Sequence, residues 1–258
     1  MAFNVRDIDL AKLDSATKYP SIPTYHELDK SNGNLSEPVV PFAGEVFGSE
    51  KIDGTNARII LLPDESYIIG SRAELLHGQG DLVINPALGI VDVVKPIADK
   101  MSPMRDGILI FFGEVYGHGV GSASRQYATA NETGFRLFDV VRIDNADEIL
   151  SWDRAKIASW RQHGGQKFAS TYDLTSYAAL TGLQLVPALF QIDASELPTS
   201  LDDMQEFLRA EVPMTFAGFG GRGGKAEGIV LRSADRSVIA KARHEDYAKT
   251  ARRQQAKR

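Results

Sequence analysis

Apolar and polar positions change period several times along the chain, and the changes mark out alternating strands and helices. The first forty residues hold no sustained period; KYPSIPTYHEL, punctuated by Pro and Ser, reads as extended or turn structure. From Val46 to Leu62 the pattern looks like two strands around a Gly turn, and Tyr67 to Ser71 is another short strand. Between Pro86 and Met101 the apolar residues Ile90, Val93, Val94 and Ile97 have helical spacing. Ile108 to Tyr116 and Phe135 to Ile143 are strand candidates, the first of them buried. Ala146 to His163 reads as one or two helices closed by Gly164 and Gly165. Thr175 to Leu180 is helical and leads through TGLQLVPALF into a strand, and Leu201 to Ala210 is a third helix. Gly228 to Arg232 and Val238 to Ala242 form a hairpin connected by Ser233 to Ser237. The fold class is therefore α+β, with helices between Asp144 and Glu211 packing laterally on the strands.

Composition narrows the function classes. With 258 residues, 43% of them hydrophobic, the chain can bury the core of one large domain or two small ones. The absence of cysteine removes disulfides and thiolate chemistry and leaves a structural zinc without its usual ligands. The start, MAFNVRDIDLAKLD, carries charge where a signal peptide needs an apolar run, and no apolar run approaches the roughly 18 residues of a membrane span. A cytoplasmic protein with no membrane partner is expected. A net charge of −5 argues against non-specific coating of nucleic acid without excluding a nucleic-acid enzyme. Basic residues do cluster: Lys249, Arg252, Arg253, Lys257 and Arg258 near the end, and Arg222 with Lys225 in GFGGRGGK. Each group reads either as solvated polar chain or as phosphate contacts.

Five segments place charge inside strand-like apolar sequence: EKIDGTNAR, GSR, FFGEVYG, EGIVLR and IAKAR. Buried charge is costly unless paired or used, so its recurrence at strand positions asks for a chemical reason. EKIDGTNAR resembles motif I, KxDG, of the covalent nucleotidyltransferase superfamily of DNA ligases, RNA ligases and capping enzymes. Ser71-Arg72 resembles motif Ia, FFGEVYG motif III, FRLFDV motif IIIa, EGIVLR motif IV and Lys241-Ala242-Arg243 motif V, all in the family's order from Lys51 to Arg243. The Thr55-Asn56 pair after KIDG, the GEVYG form and the upstream YPSI most resemble the RNA ligase 2 family. GFGGRGGKAE is not a P-loop, because it lacks GxxxxGK[ST] and leads into a strand.

The resemblance implies an ATP-grasp-like adenylyltransferase domain with antiparallel sheets, and a chemistry for each residue. Lys51 is the nucleophile toward ATP, and an amine attacks only when deprotonated, which burial or neighbouring positive charge favours. Lys241 and Mg²⁺, with Mn²⁺ able to substitute, provide that charge. Glu50, Ile52, Asp53 and Asn56 flank the nucleotide, Asp53 sharing Lys51's side if the strand continues that far. Asp-Gly is equally the signature of a hairpin turn. Arg72 binds a phosphate or forms a surface ion pair, and Arg58 is read as a solvated strand residue. Glu114 accepts from the ribose, Phe138 stacks on adenine or belongs to the core, and Asp139 supports the pocket. Glu227 is the metal ligand, a hard oxygen donor. Arg243 stands where many relatives have a second lysine; it keeps the charge but cannot act as a tunable amine.

The implied reaction has three in-line displacements at phosphorus: lysyl-AMP formation, transfer of AMP to a 5′-phosphate, and attack of a 3′-hydroxyl. The partners are RNA ends or nicked duplex nucleic acid. Residues 1–45 are expected to be an N-terminal extension packed on the core, 46–245 the nucleotidyltransferase domain, and 246–258 a basic tail with no OB-fold after it. Such a minimal enzyme, expected as a monomer, is expected to adenylylate itself well and to draw on an accessory protein, a 5′-end-healing enzyme or a pre-activated end for joining. A DNA ligase shares every motif, and a catalytically idle nucleotide- or RNA-binding relative is the alternative from a different class.

Overall fold

The computed structural model describes residues 3–78, 82–84, 89–101 and 106–255. In chain order the elements are α1 (Leu10–Thr17), β1 (His26–Leu28), β2 (Leu35–Val39), β3 (Glu45–Lys51), β4 (Thr55–Leu61), β5 (Tyr67–Ser71), β6 (Leu75–Gly78), α2 (Ile90–Ala98), β7 (Ile108–Gly117), α3 (Ser124–Tyr127) and β8 (Thr133–Ile143). There follow α4 (Ala146–Ser151), α5 (Arg154–Gln162), β9 (Lys167–Phe168), α6 (Thr171–Thr181), β10 (Ala188–Asp193), α7 (Leu201–Glu211), β11 (Gly228–Ser233), β12 (Ile239–Arg243) and α8 (His244–Gln255). Residues 86–88 of the expected helical stretch, and Lys257 and Arg258 of the basic end, lie outside the described residues.

Two sheets carry the fold: β10-β3-β11-β12 and β6-β5-β4-β7-β8-β9, with all named strands paired antiparallel. β1 and β2 form a separate hairpin. The larger sheet is covered on both faces. Ala57, Ile59 and Leu61 of β4 face one core with α2 and α6, while Ile60 and Leu62 face a second with α1, α4 and α5. A sheet buried on both sides reads as a near-continuous apolar run, which is why TNARIILL shows no alternation. The smaller sheet buries Val46, Ile229, Leu231, Ala240 and Ala242 against α7 and the β1–β2 hairpin, and turns its other face to the cleft.

Local chemistry sets the helix ends. Asp9 accepts from the amides of Ala11 and Lys12 at the start of α1, Asp153 from Lys156 before α5, Ser170 from Asp173 before α6, and Ser200 from Asp203 before α7. Gly182 ends α6 with φ +68°.

Three sequence expectations change. The two strands on either side of Ile52–Gly54 are not a hairpin: β3 and β4 belong to different sheets. Arg58 is not solvated; it is fully buried on β4 and paired with Asp14 of α1, because α1 covers that face of the strand. The C-terminal stretch is helical through Gln255, with Tyr247 and Thr250 buried; the Tyr247 hydroxyl lies 2.7 Å from His26 Nδ1 and Thr250 accepts from the Leu35 amide.

Residues before β1 are tied into both sheets. The Tyr25 amide donates to the Lys241 carbonyl and the Lys241 amide to that of Pro23, so this segment runs parallel to β12. Tyr19 donates to Asp139 at 2.6 Å, and the same carboxylate accepts from Arg232 (3.1 Å) and Arg236 (3.0 Å). Arg236 also donates to the Tyr19 hydroxyl and lies over the Phe168 ring. One buried carboxylate thus joins β8, β11, the β11–β12 turn and the N-terminal segment. Asp139→Ala would strand two buried guanidinium groups and is expected to cost about 3–5 kcal/mol; Tyr19→Phe, which removes the bond to Asp139 and the one from Arg236 but leaves the ion pairs, about 2 kcal/mol. Thermal or urea unfolding measures both, and equal losses would contradict this ranking.

Candidate active site

β3 ends at Lys51, three residues cross between the sheets, and β4 begins at Thr55. The crossing is possible only because residue 54 is glycine: a Cβ there would lie 2.3 Å from the Val115 carbonyl oxygen and 3.0 Å from Glu114 Cγ. The crossover therefore lies tight against β7, and the cleft between the sheets, about 600 Å³, opens along it.

Within the smaller sheet, Gly228 pairs with both Lys51 and Arg243. This register brings the last residue of β3 and the last of β12 beside the entry to β11, where Glu227 sits. Lys51 Nζ meets Glu227 Oε2 at 2.6 Å. On β12, Lys241 and Arg243 share a face by the strand's period of two and line the cleft with Lys51 and Arg72. Burial holds the Lys241 ammonium below its ordinary pKa, and Arg243, Lys51 and Arg72 add to the shift in that order. Arg243 makes two 2.8 Å bonds to Asp246 in the first turn of α8, an orienting fork that lysine lacks.

Across the cleft, Glu114 of β7 pairs with Asn56 of β4, and both line it. Burial pushes the Glu114 carboxyl up to about 8, against the pull of Lys51 and with the help of Glu227. Desolvation also raises Glu227, opposed by Lys51. Among the described residues, Asn56 Oδ1 is buried without a hydrogen-bond partner, an acceptor open to a donor in the cleft. Phe138 is half-buried at the cleft wall, edge-on to Tyr19 with centroids 5.1 Å apart.

The structure thus gathers Lys51, Asn56, Arg72, Glu114, Phe138, Lys241 and Arg243 around one cleft, and Glu227 joins them through its contact with Lys51. Ile52 borders it while packing against Tyr116, Tyr127 and Ala217. Two residues depart from expectation. Glu50 borders the cleft, but its carboxylate does not point with Lys51: it accepts from the Thr215 hydroxyl and, at 2.8 Å, from the Phe216 amide. Adjacent strand residues face opposite sides, so the Glu50 carboxylate points away from Lys51 while Glu50 still borders the cleft. Asp53 lies beyond the end of β3, so strand alternation does not place it; its amide donates to the Tyr127 hydroxyl at 2.7 Å. In the sequence Tyr19 enters only as the first residue of YPSI, and Tyr127 and Asp246 carry no local signal. Arg232 carried one, since it shares the cleft side of β11 with Val230 and is a charge in an apolar strand.

For a divalent cation, Glu227 offers a hard oxygen donor with Lys51 on one of its oxygens. Among the described residues no three His, Asp or Glu side chains are placed to form a full metal cage. The donors fit a magnesium-like ion that takes one or two carboxylates and fills its shell with water and phosphate oxygens.

The chain belongs to the RNA ligase family, whose model matches residues 44–249. A point mutant of Naegleria gruberi RNA ligase with ATP and Mn superposes with TM-score 0.52 at 12% identity, over 81% of this chain and 52% of that one. An archaeal ATP-dependent RNA ligase gives TM-score 0.53 at 16% identity, over 89% and 49%. The chain thus spans about half the length of these solved ligases. No curated protein sequence matches it. Among the described residues no helix is long and apolar enough to cross a membrane.

The raised Glu114 carboxyl has a signed consequence. Between its unfolded value of 4.5 and its folded value of about 8, the folded state holds a proton that the unfolded chain has lost, so stability declines as pH rises through that window. Wild type is expected to lose a few kcal/mol relative to Glu114→Gln between pH 5 and pH 8. Paired thermal melts across that range measure it; parallel curves for the two proteins would contradict the assignment.

Proposed function

We propose that this protein is an ATP-dependent RNA ligase that joins a 3′-hydroxyl to a 5′-phosphate through a lysyl-AMP intermediate on Lys51. The observation that carries the reading is the placement of the Lys51 amine: at a strand end, on the Glu227 carboxylate, beside the cations Lys241 and Arg243 and facing a cleft large enough for a nucleotide. A structural lysine has no use for that company.

In the first step the Lys51 nitrogen attacks the α-phosphorus of ATP. An N–P bond forms, the bond from the α-phosphorus to the bridging oxygen breaks, pyrophosphate leaves, and the amine proton passes to solvent. The contact with Glu227 must be released before attack. Mg²⁺, with Mn²⁺ as a substitute, would be held by Glu227 and would supply charge neutralisation at the phosphates. Lys241 and Arg243 neutralise the leaving pyrophosphate. Phe138 forms one wall for the base, Asn56 Oδ1 accepts from the ribose or the RNA end, and Glu114, carrying its proton near neutral pH, lessens the carboxylate crowding around Lys51. The second step moves AMP to the 5′-phosphate of an RNA end, and the third expels AMP as the 3′-hydroxyl attacks. The family match over 44–249 supports taking residues 46–245 as the catalytic unit and 1–45 as an extension that braces it.

Incubation with α-labelled ATP or GTP and Mg²⁺ tests nucleophile, nucleotide and metal together. Wild type is expected to take up label from ATP, acid-labile as a phosphoramidate is. Lys51→Ala is expected to take up none, and Glu227→Gln and Lys241→Ala at least 100-fold less. No label on wild type, or undiminished label on Lys51→Ala, would sink the reading; ligation of nicked DNA in preference to RNA would replace the substrate class.

A further inference from the structure

The loop from Pro213 to Lys225 lies outside the machinery described above, yet it is built with care. The buried Glu50 carboxylate fixes its first half through Thr215 and the Phe216 amide, and Thr215 donates its amide to the Gly224 carbonyl. Its second half is clamped on α3: Arg222 Nε donates to the Arg125 carbonyl at 2.7 Å and the Lys225 amide to Gln126 Oε1 at 2.8 Å. The glycines are there for close approach. A Cβ on Gly224 would lie 2.3 Å from the Gln126 carbonyl oxygen, and one on Gly218 would collide with the Arg222 carbonyl. Phe219 stacks on Tyr116 beneath the loop, centroids 5.1 Å apart.

Against that fixed backbone, two apolar side chains are left in water: Phe216 is 53% exposed and Met214 47%. Arg222 and Lys225 are exposed beside them, and no Asp or Glu occurs between Val212 and Ala226. A rigid loop that shows an aromatic face and cations without a carboxylate suits a partner with flat rings and negative charge. Lys225 stands two residues before Glu227, about 7 Å along an extended chain, so its end of the loop approaches Lys51, while the Glu50 contacts anchor the other end from the opposite side of β3. The surface therefore adjoins the reacting centre.

We propose that this loop is the docking platform for single-stranded RNA flanking the end to be joined, with a base stacked on Phe216 and phosphates on Arg222 and Lys225. The proposal rests on the ligase reading for its substrate, and its failure can be told apart from failure of that reading, because binding and self-labelling are measured separately.

The probe is a 3′-fluorescein, 5′-phosphorylated single-stranded RNA of twelve nucleotides, followed by polarisation across a salt series. Phe216→Ala is expected to weaken binding about tenfold, the loss of one stacked base, and Phe216→Trp to restore it. Arg222→Ala combined with Lys225→Ala is expected to lower the slope of log affinity against log salt by about 1.4, two contacts of a single strand. Uptake of label from ATP should stay within twofold of wild type in all three variants, which also reports that they fold. Absence of saturable RNA binding by wild type, or wild-type affinity and salt slope in both alanine variants, would overturn the platform whatever the labelling result. A partner protein on the same surface would give that second outcome. Labelling lost in wild type while the RNA effects persist would remove the ligase reading and leave the platform.

Discussion

The site depends on a crossing of three residues. β3 and β4 belong to different sheets, and Ile52, Asp53 and Gly54 are all that separates them. Such a short link forces the end of one sheet against the side of the other, and the missing Cβ of Gly54 sets how close they come. Everything chemical follows from that proximity: the smaller sheet delivers Lys51, Lys241 and Arg243, the larger delivers Asn56 and Glu114, and the cleft is the gap the link leaves. Charges that would be expensive on either sheet alone offset one another across it.

Keeping two sheets in register around a ligand-sized gap requires bonds from one to the other, and Asp139 supplies them. Its two oxygens collect Arg232 from the strand that follows Glu227, Arg236 from the turn before Lys241, and Tyr19 from the N-terminal segment. The cleft is thus braced by a network that shares strands with the reactive groups and meets the cleft wall where Tyr19 packs on Phe138. Removing one partner of a buried ion pair leaves an uncompensated charge and is costly, so the network resists losing any of its members, which suits a site whose parts lie on separate sheets.

Much of this was legible in the sequence. The strand positions of Lys51, Glu114, Glu227 and Lys241 announced themselves as charges in apolar runs, and the order of the motifs from Lys51 to Arg243 gave the fold class. What was not legible was long-range or two-sided. Alternation says that Glu50 and Lys51 face opposite ways but not what waits on the other side; the Thr215–Phe216 loop is 165 residues distant. Arg58 looked solvated because a strand read alone has a wet face, and only the packing of α1 on the larger sheet removes it. An Asp-Gly step marks a tight passage, and nothing local distinguishes a hairpin from a change of sheet. Tyr19, Asp139, Arg232 and Arg236 meet across 93 to 217 residues, beyond any periodicity.

The backbone bonds between Pro23–Tyr25 and Lys241 close what would otherwise be the free border of the smaller sheet. An unpaired outer strand invites a stranger's chain to add itself, by swapping or by aggregation. Here that border carries Lys241, so an intruding strand would meet the cleft side of the molecule first. The opening segment of the polypeptide forestalls this by occupying the position itself.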